Sequence, residues 1–299
     1  MRKVLITGIN GFLGSEIAKK LVAEGTSVIG LKRPKSDIWR CTEFADQIDW
    51  VDIVPGYGEL LIQKKPSIMI HCAWIGVEAK YRDDWAEQIK NILFLSELLF
   101  IAKKVDLEKI VVLGSQAEYG ILNNVVTEDF MAVATNAYAG IKLAILEIVK
   151  VFSETNNINW VWLRIFSVLG ETESEDWLIP ATIKKMKHSS EMDLTFGEQK
   201  YAYLYIRDFA EILYRIVNYN IKSGIYNVSA SKAQSLRSII EGIRSIVNPS
   251  FKLNFGALEY RHKQSMHIQG DMSKLTNEIG EVPLTDFNVA LKSVINYNK

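Results

Sequence analysis

Along the first half of the chain, short runs of Val, Ile and Leu alternate with longer stretches whose apolar residues recur at helical spacing. Val4-Leu5-Ile6 is the first run, of a length suited to a buried parallel strand. Gly8, Gly11 and Gly14 follow at three-residue spacing, and Ile17, Leu21 and Val22 then mark one face of a helix. Further apolar runs predict strands at 27–31, 50–54, 67–73 and 109–113. Between the last two, Ile89, Ile92, Leu93, Leu95, Leu98 and Leu99 predict a helix over 83–103 with a wide apolar face. Another helix is predicted from Asn136 onward. Strand, glycine turn and helix in succession at the start form a cradle for a nucleotide diphosphate. Glycines allow the tight turn and the close approach of backbone, and the helix N-terminus offers free N–H groups and partial positive charge.

Composition narrows the class. The 299 residues carry 35 basic and 35 acidic side chains, so there is no electrostatic footprint for nucleic acid or an anionic membrane. The length suits one large domain or two modest ones. No apolar run approaches the ~20 residues that span a bilayer. The basic start enters its glycine turn at Gly8, so no signal peptide is expected. Cys41 and Cys72 lack metal-like spacing and read as reduced thiols of a cytoplasmic protein, with no metal site expected.

Candidate chemistry clusters at the ends of the predicted strands. After the second strand come Lys32-Arg33-Pro34-Lys35, with no acid before Asp37. An acid there suits the free 2′-hydroxyl of NAD, whereas Arg33, with Lys32, suits the 2′-phosphate of NADP; the plainer alternative is a solvated basic loop. Asp52 reads either as a contact to the adenine edge or as a surface acid. His71, ending an apolar strand, reads as a packed core histidine in preference to a catalytic one. Ser115 stands at the end of the fifth strand. Tyr138 and Lys142 are four residues apart and share a helix face. An ammonium beside a phenol favours the phenolate, which makes Tyr138 a candidate proton donor or acceptor for a carbonyl or alcohol. Taken alone, such a pair is more often plain helix surface.

Three motifs in order change that weighting: TGINGFLG at Thr7–Gly14, GSQAEYG at Gly114–Gly120 and YAGIK at Tyr138–Lys142. With LRIFSVLG from Leu163, QKYAYLYIRDFAEI from Gln199, GIYNVSAS from Gly224 and GDMSKL from Gly270, the chain resembles the extended short-chain dehydrogenase/reductase family throughout its length. The similarity is to the branch acting on nucleotide sugars. The resemblance implies a doubly wound parallel (Rossmann) α/β sheet over 1–165, rejoined by the chain around 204–229. A smaller C-terminal α/β domain, from 166–203 and 230–299, would bind the sugar nucleotide. It implies that Gly8, Asn10, Gly11, Phe12, Leu13 and Gly14 hold the cofactor, together with Arg33, Asp52, Ile53, Ala73 and Asn91. Tyr138 would be the acid/base at the sugar carbonyl. Lys142 would hold the nicotinamide ribose and tune Tyr138, and Ser115 would orient the carbonyl. Ser115, Gln116, Ser167, Lys200 and Arg261 would contact substrate, with Lys200 and Arg261 on the diphosphate. Helices near 83–103 and after Tyr138 would pair two copies in a four-helix bundle.

The departures select among reactions. The 4,6-dehydratases place Asp and Glu after the Ser or Thr of the fifth-strand motif; Gln116 and Ala117 stand there instead and cannot exchange protons. Double epimerase-reductases of the GDP-fucose synthase type use an added Cys and His; neither cysteine lies beside Ser115, and His188 reads as the polar end of a helix. Ser167 replaces the branch's usual Asn. What is left is NADPH-dependent reduction of the C4 ketone of a nucleotide-linked 4-keto-6-deoxysugar. The alternatives are a 4-epimerase that retains NAD and a non-catalytic Rossmann-fold sensor or scaffold. The basic pair at Lys32 and Arg33 favours NADP(H) over NAD(H), and with it the reductase.

Overall fold

The computed structural model describes residues 2–298. Seven strands build one parallel sheet: β1 (Lys3–Thr7), β2 (Ser27–Lys32), β3 (Ile48–Asp52), β4 (Ile68–His71), β5 (Lys109–Ser115), β6 (Asn159–Ile165) and β7 (Gly224–Val228). Their order across the sheet is β7-β6-β5-β4-β1-β2-β3. Adjacent strands are parallel, with Val4 opposite Val28 and Ile68, and Ser115 opposite Ile165. The order reverses between β1 and β4, the place where an open α/β sheet splays its loops apart and receives a ligand.

Both faces are covered. Along β1 and β5 alternate residues enter separate cores: Val4, Ile6, Val111 and Leu113 face one, and Leu5, Ile110 and Val112 the other. On the first face lie α1 (Phe12–Ala23) and α6 (Ile206–Asn218), with α8 (Ser273–Ile279) against β7, while α5 (Leu178–His188), α7 (Leu236–Val247) and α9 (Phe287–Tyr297) extend the same core beyond the sheet. The second carries α2 (Tyr57–Lys64), α3 (Trp85–Lys104) and α4 (Ala137–Thr155). Helix starts follow their capping residues: Asp84 accepts the Glu87 N–H before α3, and Asn136 the Ala139 N–H before α4. In α6, Ile206, Phe209, Ala210, Leu213, Ile216 and Val217 form a buried stripe of helical period.

Smaller pairings sit beyond the sheet's carboxyl edge. Asn123–Val126, His267–Gly270, Lys200–Tyr201 and Gln234–Ser235 make a four-stranded sheet. Ser167–Leu169 pairs with Tyr203–Tyr205, and Glu191–Leu194 with Lys252–Phe255. The third main strand lies earlier than the 50–54 expected, at Ile48–Asp52, because the Val54 N–H turns back to the Asp52 carbonyl, 2.9 Å away. Among the described residues, no helix is long and apolar enough to cross a membrane.

Candidate functional site

The glycine turn is built by close approach. Gly8 has φ +65°, which favours glycine, and its α-carbon faces Ala73: a Cβ there would come within 2.8 Å of the Ala73 backbone. A Cβ on Gly14 would lie 2.3 Å from the Gly8 carbonyl oxygen, so α1 can start this close to β1 only with glycine at that position. Gly11 precedes the helix without a side-chain cap, and no acid occupies the first turn. The initial N–H groups of α1 are therefore left for another acceptor, and the cradle fits the diphosphate of a dinucleotide. Asn10 is tied across to the loop after β2, its amide donating to the Asp37 carbonyl at 2.9 Å. Phe12 and Leu13 are partly buried against the core, Phe12 beside Gly170.

At the switch point, the Thr7 hydroxyl lies 2.8 Å from His71 Nδ1 and accepts the Ala73 N–H at 3.2 Å. This clamp holds the ends of β1 and β4 at fixed separation. His71 is a buried core residue, as its sequence position indicated; burial, with the nearby Lys142 charge, pushes its pKa down to about 3. At the next strand ends, Lys32 Nζ reaches Asp52 at 2.6 Å, so Asp52 is engaged with that ammonium. Ile53 follows, its N–H on the Lys32 carbonyl. Arg33 is exposed, and its guanidinium has no protein partner among the described residues.

The loop after β4 is wired to α3. Asn91 Oδ1 accepts the Ile75 N–H at 2.8 Å and its amide donates to the Ile75 carbonyl; Gln88 donates to the Gly76 and Tyr81 carbonyls and accepts from the Trp74 indole. The buried Asn91 thus holds the wall of the site. Trp74 is swung beneath α4: its ring lies 3.4 Å from Lys142 Nζ, and its centroid is 5.7 Å from that of Tyr138, edge to face. Arg82 stands 5.0 Å from the Tyr138 ring and 5.9 Å from the ring of Trp177, which belongs to the loop before α5.

Ser115, Tyr138 and Lys142 meet at the end of β5. Tyr138 is buried; burial raises its pKa, while the Ser115 hydroxyl and the Arg82 charge pull it back. Lys142 donates to the Leu113 carbonyl at 2.6 Å, and burial holds its ammonium well below the ordinary lysine range. Gln116 and Ala117 form the short turn that follows, partly exposed. Glu118, in the same turn, points inward and pairs with Arg164 at 2.8 Å.

The substrate-side residues distribute differently. Ser167 lies opposite Tyr203 in a two-stranded pairing. Lys200 is exposed; alternation along Lys200–Tyr201 turns Tyr201 inward, where burial raises its phenol pKa and Gln264 and Arg261 lower it. Arg261 is exposed on the loop before the His267–Gly270 strand. His188 is an exposed helix-end residue. Trp74, Arg82 and Glu118 went unassigned in the sequence; their partners are distant along the chain. Among the described residues, no group of three or more His, Cys, Asp and Glu is placed to hold a metal ion.

The profile of the NAD dependent epimerase/dehydratase family matches residues 4–229. The chain belongs to that family. This protein is 28% identical to the CDP-abequose synthase of Salmonella muenchen, over 92% of this chain and 91% of the other. It is 24% identical to the dTDP-6-deoxy-L-talose 4-dehydrogenase (NAD(+)) of Aggregatibacter actinomycetemcomitans, over 89% and 98%. Its fold superposes on the crystal structure of the Bacillus cereus UDP-glucuronic acid 4-epimerase, solved with UDP-glucuronic acid and NAD, with a TM-score of 0.87. That match covers 99% of this chain and 98% of the other at 22% identity. As a family member, the chain is an extended short-chain dehydrogenase/reductase with a Rossmann sheet.

Proposed function

We propose that this protein is a nucleotide-sugar 4-ketoreductase, which reduces the C4 ketone of a nucleotide-linked 4-keto-6-deoxysugar with NADP(H). The observation that carries this reading is that one proton-exchanging side chain remains available at the end of β5. Glu118 is committed to Arg164. His71 is enclosed, and burial pushes the Cys72 thiol up to about 12. Gln116 and Ala117 have no proton to exchange. Tyr138 remains.

When bound, the nicotinamide cofactor supplies the hydride that C4 receives. The chain's own residues handle the oxygen. Tyr138 gives its phenolic proton to the C4 oxygen as negative charge builds there, and Ser115 donates a hydrogen bond to the same oxygen. The Lys142 ammonium, held over the Trp74 face, stabilises the phenolate left behind, which solvent reprotonates. Proton donation of this kind contributes about 10²–10⁴-fold to rate. One donor is what simple reduction needs, whereas elimination or inversion of the carbons beside the ketone needs a second group; a 4-epimerase with retained NAD uses the same donor and is set aside on Arg33. A 4-dehydrogenase acting on a dTDP-6-deoxysugar, as one relative is named, runs this chemistry in reverse.

Arg33 supports NADP(H). Lys32 is paired with Asp52, and the exposed Arg33 guanidinium, without a partner among the described residues, is suited to bidentate contact with a 2′-phosphate. Arg33→Ala is expected to weaken NADPH binding about tenfold while leaving NADH binding unchanged, measured by titration calorimetry. A homodimer is supported by the outer faces of α3 and α4, which expose Trp85, Ile89, Leu93, Phe100, Ile148 and Val151. Light scattering would report a monomer for Leu93→Glu. To test the activity itself, the protein is mixed with NADPH and a panel of nucleotide-linked 4-keto-6-deoxyhexoses. Stoichiometric NADPH consumption with one of them is the expected result. Interconversion of UDP-hexoses with tightly held NAD and no consumption makes it the epimerase instead.

A further inference from the structure

Beneath Ser115 lies a buried charge pair that the chemistry above leaves unassigned. Glu118 is fully enclosed, and its two oxygens accept from three N–H groups: Ser115 backbone at 2.7 Å, Arg164 Nε at 2.8 Å and the Trp162 indole at 3.1 Å to both oxygens. Burial pushes the Glu118 pKa up and the Arg164 charge and the Ser115 N–H pull it back; every contact is a donor, which favours the ionised, acceptor-only form. Gly114 makes the room. A Cβ there would fall 2.2 Å from the Trp162 indole nitrogen and 2.6 Å from Glu118 Oε1. Arg164 is in turn stacked on Tyr119, 4.2 Å from its ring, and the Tyr119 hydroxyl donates to Asn227 at 2.7 Å. Four consecutive parts of the fold, the ends of β5, β6 and β7 and the turn after β5, are thereby locked to one carboxylate.

Two consequences reach the reacting groups. Glu118 grips the Ser115 N–H while Ser115 Oγ accepts the Ala117 N–H at 3.2 Å, which fixes both the backbone and the hydroxyl of Ser115. Lys142 is anchored on the Leu113 carbonyl, two residues before the Ser115 that Glu118 grips, and the Glu118 charge at that strand end favours its ammonium. We propose that Glu118 is a positioning residue: with Arg164 it sets Ser115 beneath the sugar carbonyl and supplies the counter-charge that keeps Lys142 an ammonium. This rests on the ketoreductase reading for its effect on rate, but not for its effect on Lys142.

Around Lys142 the Glu118 and Cys72 charges favour its ammonium and burial opposes it, with the Trp74 ring packed against it; around Tyr138 stand Ser115, Arg82 and Trp74. Glu118→Gln removes the negative charge and strands Arg164, so Lys142 must titrate at lower pH than in the native protein. Glu118→Gln/Arg164→Gln restores local neutrality and must bring that midpoint part of the way back. The measurement is the Cε resonance of Lys142 in ¹³C-lysine-labelled protein, assigned by its absence in Lys142→Met, followed against pH. NADPH oxidation is assayed on the same samples, with the panel of 4-keto-6-deoxyhexose nucleotides. The expected result is a lowered midpoint in both variants, the single lower than the double, and a fall in turnover of about tenfold or more where native Lys142 is charged. Should the single variant not fold, the double still reports a midpoint below native. An unmoved Lys142 midpoint in a folded variant overturns the assignment. A moved midpoint without turnover of any panel substrate by the native enzyme upholds the role of Glu118 and sinks the reaction.

Discussion

The two rims of the central sheet use buried polar groups in opposite ways. At the amino-terminal rim, side chains reach backbone carbonyls at helix ends. Lys109 donates to the Ile216 and Tyr219 carbonyls at 2.7 and 2.8 Å, closing the end of α6, and Arg2 reaches Val217 and Asn218 beside it. Lys3 donates to the Lys64 carbonyl at the end of α2, and Asn159 to that of Ile221. Three of these four are cations on helix C-termini, where the macrodipole favours them. These side chains serve the rim as caps and backbone ties. At the carboxyl-terminal rim the side chains bind one another, Thr7 to His71 and Glu118 to Arg164, and Tyr138 and Arg33 are left with capacity to act on something else. The same strand, β5, begins in a satisfied cation and ends in Ser115, proposed above to hold the sugar carbonyl. The lesson is that burial of charge marks a site only where the charge is answered by another side chain poised against a reactive group.

Four substitutions break or sharpen this contrast. Tyr138→Phe, at the carboxyl rim, is expected to lower kcat by about 10²–10⁴-fold while thermal unfolding and cofactor binding stay as they are. Gly14→Ala drives a methyl into the Gly8 carbonyl; overpacking of this kind costs about 1–3 kcal/mol, and NADPH affinity measured by calorimetry should fall with stability. His71→Asn probes pH. With its folded pKa at about 3 against an ordinary value of 6.5, native His71 is neutral where the unfolded chain's is charged. Stability conferred by that neutral ring is complete above about 6.5 and is lost as pH falls toward 3, at about 1.4 kcal/mol per pH unit between the two values. Denaturant titrations should show that acid-side loss in the native protein and a smaller one in the variant. Lys109→Met, at the amino rim, should cost about 1–3 kcal/mol of stability and leave kcat per folded molecule unchanged. A loss of turnover there would erase the distinction between the rims.

The sheet was legible because its strands are local apolar runs and its crossovers are periodic helices. Positions such as Gly8, Ser115, Tyr138 and Lys142 were legible because a short motif holds each one. What escaped reading depends on contacts between distant segments. Glu118 lies inside a recognised motif, yet Trp162 and Arg164, which give it meaning, stand 44 and 46 residues away. Which of Lys200 and Tyr201 turns inward was not legible, because no local pattern pins the alternation of a two-residue strand. Asp52 and Lys32 each looked free until the sheet register put them opposite one another.

The central claim is that hydride enters C4 from an exchangeable cofactor and that Tyr138 protonates the oxygen. The most direct test supplies NADPH carrying deuterium at the transferable position, with the 4-keto-6-deoxyhexose nucleotide that consumes it. Products are then read by mass spectrometry and NMR. One deuterium at C4 for each NADPH consumed, formed about 10²–10⁴-fold more slowly with Tyr138→Phe, is the predicted result. Unlabelled sugar that interconverts between C4 epimers, with the NADPH untouched, would contradict it.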